Sequence, residues 1–449
     1  MPKHPGRSSR LPVGFALVAA LAVSVSASGC DISAEASAPR AAALDTGSPE
    51  SVGMSSERLA RLHDAMQGLV DDGRLAGITT MIARRGCIVD FRTYGHRDRE
   101  ANDPMREDAI FRIYSMSKPI TGVALMMLYE EGKFRLDDPV ARYIPELAGM
   151  KVATEWTDDG PALEDPDHSM TIRELMTHTA GMAYGIGDPH PVERMYAQAR
   201  LLAGDQDLAD MIDRLAELPL RFQPGERFSY SISVDVQGRL VEVLSGQPFD
   251  EFLEERLFEP LGMHDTGFHV PEADHDRFVQ VYDYDESGEL RAAGRGNAAT
   301  DGRPRPFLDP TSLFSGGGGL VSTTMDYMRF SQMLLNGGEL DGVRILSPMT
   351  VDLMRRDHLP DVGARPGGLI GDQGFGLDFA VTLASPNNAP AGIYYWGGAA
   401  GTWFWIDPVE DLVFVGMIQQ FGAGRPDLRT LSQRLTYQAI TTPAAELDG

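Results

Sequence analysis

The stretch FRIYSMSKPITGVALMML, residues 111–128, holds Ser115 and Lys118 three positions apart at the head of an apolar run. Residues i and i+3 share one helical face, so a helix starting here sets the lysine amine one turn from the serine hydroxyl. Pro119 falls in the first turn, where its missing N–H costs least. A serine at this point is also an ordinary N-cap, and S-x-x-K spacing recurs by chance. The chemical alternative is a nucleophile beside its base. Unpaired N–H groups at a helix start stabilise a developing anion, and burial beside that dipole depresses a lysine toward a neutral amine able to take the serine proton. Lysine usage weighs toward chemistry. Of 40 basic residues only Lys3, Lys118, Lys133 and Lys151 are lysine, and only Lys118 has serine three residues before it. Arginine could not act as a neutral base.

Working outward, SSERLARLHDAMQGLVDDG (55–73) places Leu59, Leu62, Met66 and Leu69 on one helical face, with Ser55 or Ser56 as N-cap and Gly73 at the end. AGITTMIARRGCIVDFRTYG (76–95) reads as a β-hairpin about Arg85-Gly86. From Leu136 to about His269 helical segments are broken by proline and glycine. After SGGGGLVS, Ser322 or Thr323 caps a helix. Three strand-like runs, GIYYWGG (392–398), GTWFWIDP (401–408) and DLVFVGMIQQ (411–420), precede a final helix over about 427–440. No internal repeat is visible. This order predicts a mixed α/β (α+β) fold: an antiparallel sheet built from both chain ends, flanked by helices, with a mostly helical subdomain inserted. The sheet part spans about 49–114 and 300–440 and the helical part about 115–299. A cleft between them is the expected place for a small-molecule site.

A length of 449 residues, 43% apolar and 23% charged, describes an ordinary globular chain. Its net charge, 40 − 65 = −25, argues against nucleic acid as a partner. Lys3, Arg7 and Arg10 followed by apolar Leu11–Ala27 form a bacterial export signal, 1–29. SVSASGC (24–30) then offers either ordinary cleavage after Ala27 or lipoprotein cleavage before Cys30, and the linker-like residues behind it favour a lipidated Cys30 on a tether, 30–48, ahead of one domain, 49–440. The expected location is therefore a membrane-anchored lipoprotein or a secreted protein. Cys87 is the one cysteine left in the folded part and suits packing. No Cys/His spacing resembles a metal site, and His264, His269 and His275 read as loop histidines. There is no G-x-S-x-G elbow, no H-E-x-x-H and no P-loop; SGGGGL has no following lysine and suits a tight turn.

Seven motifs in order then carry a resemblance: SMSKPITG (115–122), LDDPVARYIPEL (136–147), TIRELMTHTAGM (171–182), PGERFSYSIS (224–233), LFEPLGMHDTGF (257–268), GGGGLVSTTMDYMRF (316–330) and YWGGAAGTWFWIDP (395–408). Together they resemble the serine β-lactamase and penicillin-binding-protein superfamily, and within it the class C β-lactamase-like esterases called family VIII carboxylesterases. The resemblance implies Ser115 as the acylated nucleophile, Lys118 beside it and Tyr230 as a phenol sharing the base role. A phenol ionises near pH 10 and needs a close cation to do so lower. It further implies that WGGA, Trp396 to Ala399, is the third motif, with Gly397 and Gly398 giving room for substrate against the backbone and the N–H groups of Ala399 and Ser115 forming an oxyanion hole. Two positions depart from true β-lactamases. Ile232 stands where they carry asparagine, and Trp396 where they carry lysine or histidine. Both changes suggest an apolar slot suited to neutral esters.

The resulting expectation is an exported serine hydrolase that cleaves small carboxylic esters through an acyl-enzyme, with no cofactor or metal and a small-molecule ester as its partner. The alternatives are a β-lactamase or D-alanyl-D-alanine carboxypeptidase, an acyltransferase, and a catalytically silent tethered binding protein.

Overall fold

The computed structural model describes residues 44–157, 160–186, 189–293, 306–359, 373–383, 390–422 and 424–447. Residues 1–43, on which the expected export signal, Cys30 and most of the expected tether fall, lie outside the described residues.

Nine strands form the main sheet: β1 (Asp45–Thr46), β2 (Gly77–Arg84), β3 (Cys87–Asp98), β4 (Asp103–Pro104), β5 (Gly374–Phe375), β6 (Ala380–Val381), β7 (Tyr394–Gly397), β8 (Trp403–Asp407) and β9 (Leu412–Met417). Their spatial order is β1-β3-β2-β9-β8-β7-β6-β5, with β4 beside β3. Every pair is antiparallel except β1 with β3. The first hairpin and the last strands therefore meet at β2–β9, which joins the two chain ends as expected. Asp45 and Thr46, assigned to the tether from sequence, pair with Cys87 and Ile88. The hairpin turn has Arg85 at φ 55° and Gly86 at φ 73°, the doubly left-handed two-residue turn that matches strand twist.

β2, β8 and β9 are buried at every position, so their sequences are mostly apolar without alternation, and the polar Thr79, Thr80, Arg84 and Asp407 among them are buried too. Helices cover the faces. α1 (Ser56–Asp71) buries Leu59, Leu62, Met66 and Leu69 and packs on β3. Three more helices are needed below: α2 (Ser117–Glu130), α3 (Ser233–Ser245) and α4 (Thr324–Leu335), the last packed on β2 and β9. Thr323 caps α4, accepting from Asp326 N at 3.1 Å. α5 (Leu428–Tyr437) lies against α1, and the Asp427 carboxylate caps it by accepting from Thr430 N.

α2 is buried from Ser117 to Leu128. A helix enclosed on all sides needs an apolar surface all round, and ITGVALMML supplies it. α3 packs along it, and at Gly122 an added Cβ would stand 2.6 Å from Asp378 Oδ2. The inserted part, expected to be mostly helical, also holds a two-stranded ribbon in which Val152–Thr157 pairs with Gly160–Glu164. Its apolar Trp156 and Leu163 are exposed, so no buried face printed an alternating pattern.

Candidate active site

Ser115 sits in a single 3₁₀ turn, Tyr114–Met116, immediately before α2. Tyr114 is held at φ 43°, a backbone region that costs a non-glycine residue energy and tends to occur where geometry is functional. Lys118 follows in the first turn of α2 and is fully buried. Its Nζ donates to Gly317 O at 2.6 Å and to Ser115 Oγ at 3.4 Å. The same nitrogen lies 4.5 Å from the Tyr230 ring centroid and 5.2 Å from that of Tyr184.

The charge state of Lys118 differs from the sequence expectation. Burial does oppose its ammonium, but Tyr184, Tyr230 and Asp235 together outweigh burial and raise the amine above its ordinary value. The enclosed lysine is thus a cation that donates to the serine oxygen. Asp235, fully buried on α3, accepts from Ser315 Oγ at 2.5 Å and from Gly317 N at 3.2 Å. It therefore grips Gly317 by its N–H while the carbonyl of the same residue receives Lys118. An added Cβ at Gly317 would stand 2.5 Å from Asp235 Oδ2. This contact explains a glycine in SGGGGL: the loop presses its backbone between lysine and carboxylate.

Tyr230 lies between aromatic neighbours. It stacks on Tyr184 with centroids 5.4 Å apart and planes 7° apart, and it touches His178 and Trp396 at 4.7 and 5.6 Å. Burial raises the Tyr184 phenol above its usual value, which keeps it protonated. His178 is buried, and burial followed by the Lys118 charge holds it well below the usual imidazole value. Its Nδ1 accepts from Ser231 N at 3.2 Å, so a neutral ring fixes the residue next to Tyr230. Neither Tyr184, His178 nor Asp235 was singled out from the sequence. Asp235 alone left a trace, as an acid inside the apolar run ISVDV on a helix that packs inward.

The WGGA segment arrives on β7. At Gly398 an added Cβ would stand 2.4 Å from Ile113 O and 2.3 Å from Thr402 Oγ1, so only glycine lets this strand end close on the chain leading to Ser115. Gly398 N donates to Thr402 O at 2.7 Å and Gly401 N to Gly398 O at 2.9 Å, forming a tight turn. Within it Ala399 N–H meets no acceptor among the described residues, and Ala399 is exposed to the same cavity as Ser115. A free donor opening on the same cavity as a serine is the kind of group that an oxyanion hole uses.

That cavity has a volume of about 1220 Å³ and is lined by Ser115, Tyr230, Trp396, Gly397, Gly398 and Ala399 among others. Six of the residues expected at the site therefore share one cavity, with Lys118 beneath its floor. Ile232 does not join them. It is fully buried at the N-cap of α3, donates its N–H to Ala183 O at 3.1 Å and belongs to the hydrophobic core. The two-residue offset from Tyr230 turns its side chain away as the helix begins, so it forms no apolar wall. Among the described residues no cluster of His, Cys, Asp and Glu could hold a metal ion.

The β-lactamase family profile matches residues 62–438. Protein Rv1367c of Mycobacterium tuberculosis is 37% identical over 407 residues, 84% of this chain and 98% of its own length. Esterase EstB of Burkholderia gladioli is 33% identical over 382 residues, 81% and 91% of the two chains. The solved structure of EstCE1, described as a hydrolase with promiscuous acyltransferase activity, is 27% identical. It superposes with a TM-score of 0.71 and covers 86% of this chain and 99% of that one.

Proposed function

The chain belongs to the β-lactamase family, in its serine hydrolase and acyltransferase branch with esterase relatives, and we propose that it hydrolyses carboxylic esters through an acyl-enzyme on Ser115. The observation carrying this reading is the Lys118 ammonium donating to Ser115 Oγ while Tyr230 and Tyr184 surround it on the cavity floor. A protonated lysine cannot accept the serine proton, and Tyr184 is kept protonated by burial. The base role falls to Tyr230 acting as the phenolate that the adjacent Lys118 ammonium would stabilise; on taking the serine proton it becomes the neutral phenol.

In the first half-reaction Ser115 Oγ bonds to the ester carbonyl carbon as its proton passes to Tyr230. The N–H groups of Ala399 and Ser115 hold the resulting oxyanion. Collapse breaks the bond to the alkoxide, which takes the proton back from Tyr230. Water then repeats the sequence on the acyl-enzyme and regenerates Ser115 with release of the acid. Trp396, where β-lactamases carry a cationic or imidazole group, supports esters over β-lactams. A second reading, acyl transfer to an alcohol, is favoured by one observation: about 1220 Å³ leaves room for an acceptor beside the acyl group. We also propose export and anchoring through Cys30, supported by the charged, apolar and small-residue pattern of residues 1–30. Mass spectrometry of the membrane fraction reads the lipid directly.

The test of the esterase reading uses the purified full chain and Ser115→Ala against p-nitrophenyl acyl esters and a chromogenic cephalosporin. Ester turnover that disappears in the variant, with little cephalosporin cleavage, is the expected result. Dominant cephalosporin cleavage would replace the esterase reading with a β-lactamase one, and no serine-dependent turnover would leave a silent binding protein.

A further inference from the structure

Among the described residues, the formally charged side chains lining the cavity are Glu193, Arg200, Arg221, Arg425, Asp427 and Arg429. Four cations and two anions give the wall a net charge of 4 − 2 = +2, in a chain whose total is −25. The two acids are already committed. Glu193 pairs with Arg221 at 3.2 Å and accepts from Tyr184 N and Gly185 N, while Asp427 caps α5. Arg200, Arg425 and Arg429 meet no carboxylate among the described residues.

Arg425 is the informative one. It is half-buried, and its Nη1 donates to Ala399 O at 2.8 Å and to Gln420 O at 3.1 Å. Carbonyl dipoles alone therefore answer its charge, directly beside the segment that supplies the oxyanion donor. Burial holds the guanidinium below its usual value. In the first turn of α5, Arg429 Cζ lies 4.0 Å from the centroid of the Tyr395 ring, a cation–π contact that holds the guanidinium at the cavity wall. A cleft of one sign with low-dielectric walls concentrates ions of the other sign. The cavity is also larger than a short-chain ester fills.

We propose that the preferred substrate is an ester bearing a carboxylate away from its scissile bond, and that Arg425, supported by Arg429, is the residue selecting it. This rests on the ester reading and reverses the expectation of a slot indifferent to anions. The neutral wall foreseen at Ile232 is absent, and the cations sit on a segment that the motifs do not cover.

The experiment compares each charged ester with its neutral counterpart. Mono-p-nitrophenyl adipate is set against its methyl-capped form, and 4-carboxyphenyl butanoate against the corresponding methyl ester, so that the carboxylate is offered on either side of the reacting carbonyl. Every rate is normalised to hydrolysis by hydroxide. In the wild-type protein at least one pair is expected to favour the acid by about tenfold in kcat/KM, as suits one charge-assisted contact, with the advantage shrinking as salt is added. Arg425→Gln should bring that ratio to about one, and Arg425→Lys should retain part of it.

Ratios near one in the wild type for both pairs, or a preference surviving in Arg425→Gln, would overturn the proposal while leaving the esterase intact. If no ester is turned over at all, quenching of tryptophan fluorescence by adipate decides the matter, since Trp396 and Trp403 line the cavity. Quenching lost in Arg425→Gln would retain the anion site and discard the esterase, and quenching absent or unchanged would discard both.

Discussion

Two arginines at opposite ends of strand β9 show how the same side chain can close one region and leave another open. Arg84, paired across from Leu412, is fully buried. Its guanidinium donates to the carbonyls of Val52, Gly53, Thr442 and Glu410 and to the Glu410 carboxylate, at 2.5 to 3.1 Å. Those partners come from the first turn of the described chain, the β8–β9 connection and the residues after α5, so one cation fastens both chain ends to the sheet. Arg425, beyond the other end of β9, has two carbonyls and no carboxylate. Full satisfaction marks a structural group; an unanswered charge on a cavity wall marks a place for a ligand. Lys118 falls between them, fully buried and well partnered, but with reactive oxygens among its partners.

Replacing Lys118 by methionine tests that middle case and should have the largest effect. Without the ammonium, Tyr230 loses the charge that stabilises its anionic form and Ser115 loses a donor. kcat/KM for p-nitrophenyl butanoate should fall by about 10³-fold or more. Urea unfolding should show some loss of stability as well, since buried Asp235 loses its neighbouring cation, so the comparison is made per folded molecule. A variant that retained activity within about tenfold would mean that Lys118 is structural, like Arg84, and that the proton moves by another route.

Arg84→Met reverses the pattern. Removing one partner of a buried ionic network strands the Glu410 carboxylate and several carbonyls, an effect worth about 3–5 kcal/mol of stability. Urea unfolding should show the loss, while the fraction still folded keeps the wild-type kcat. If kcat per folded molecule fell with stability, the two ends of the sheet would be coupled and the division between a closed and an open region would fail.

The sequence made the closed region and the chemistry of the serine more legible than the cavity wall. The hairpin at Arg85-Gly86, the inward face of α1, the Thr323 cap and the three late strands each rest on short-range chemistry, such as turn geometry, periodicity and capping, which local sequence records. Ser115, Lys118 and Tyr230 were recognisable because motifs hold them. What escaped is long-range. Asp235 reaches Lys118 through a peptide more than 80 positions away in sequence, and Tyr184 joins Tyr230 by stacking between segments whose spacing carries no period. Ile232 was misplaced because two residues beyond a site tyrosine need not face the site when a helix starts there. Arg425 resembled one of many arginines until its lack of a carboxylate could be seen.

Asp326 adds the converse case, a buried anion with neutral donors only, and its effect should be the smallest. In the first turn of α4 it accepts from Asp265 N at 2.8 Å and Thr266 Oγ1 at 2.9 Å, both neutral donors. Burial pushes its carboxyl up to about 6, from an ordinary value of 3.8. A carboxyl raised on folding binds its proton more tightly in the native state, so its contribution to stability is complete below about pH 4 and is lost as pH rises through about 6. Asp326→Asn keeps an acceptor for both donors and removes the charge. The variant should match the wild type in urea at low pH and exceed it at neutral pH, by less than about 3 kcal/mol. Parallel stability curves for the two proteins across that range would show that the carboxylate is compensated after all. Asp326 would then belong with Arg84 among the satisfied charges, and an incompletely partnered ion would no longer by itself distinguish Arg425.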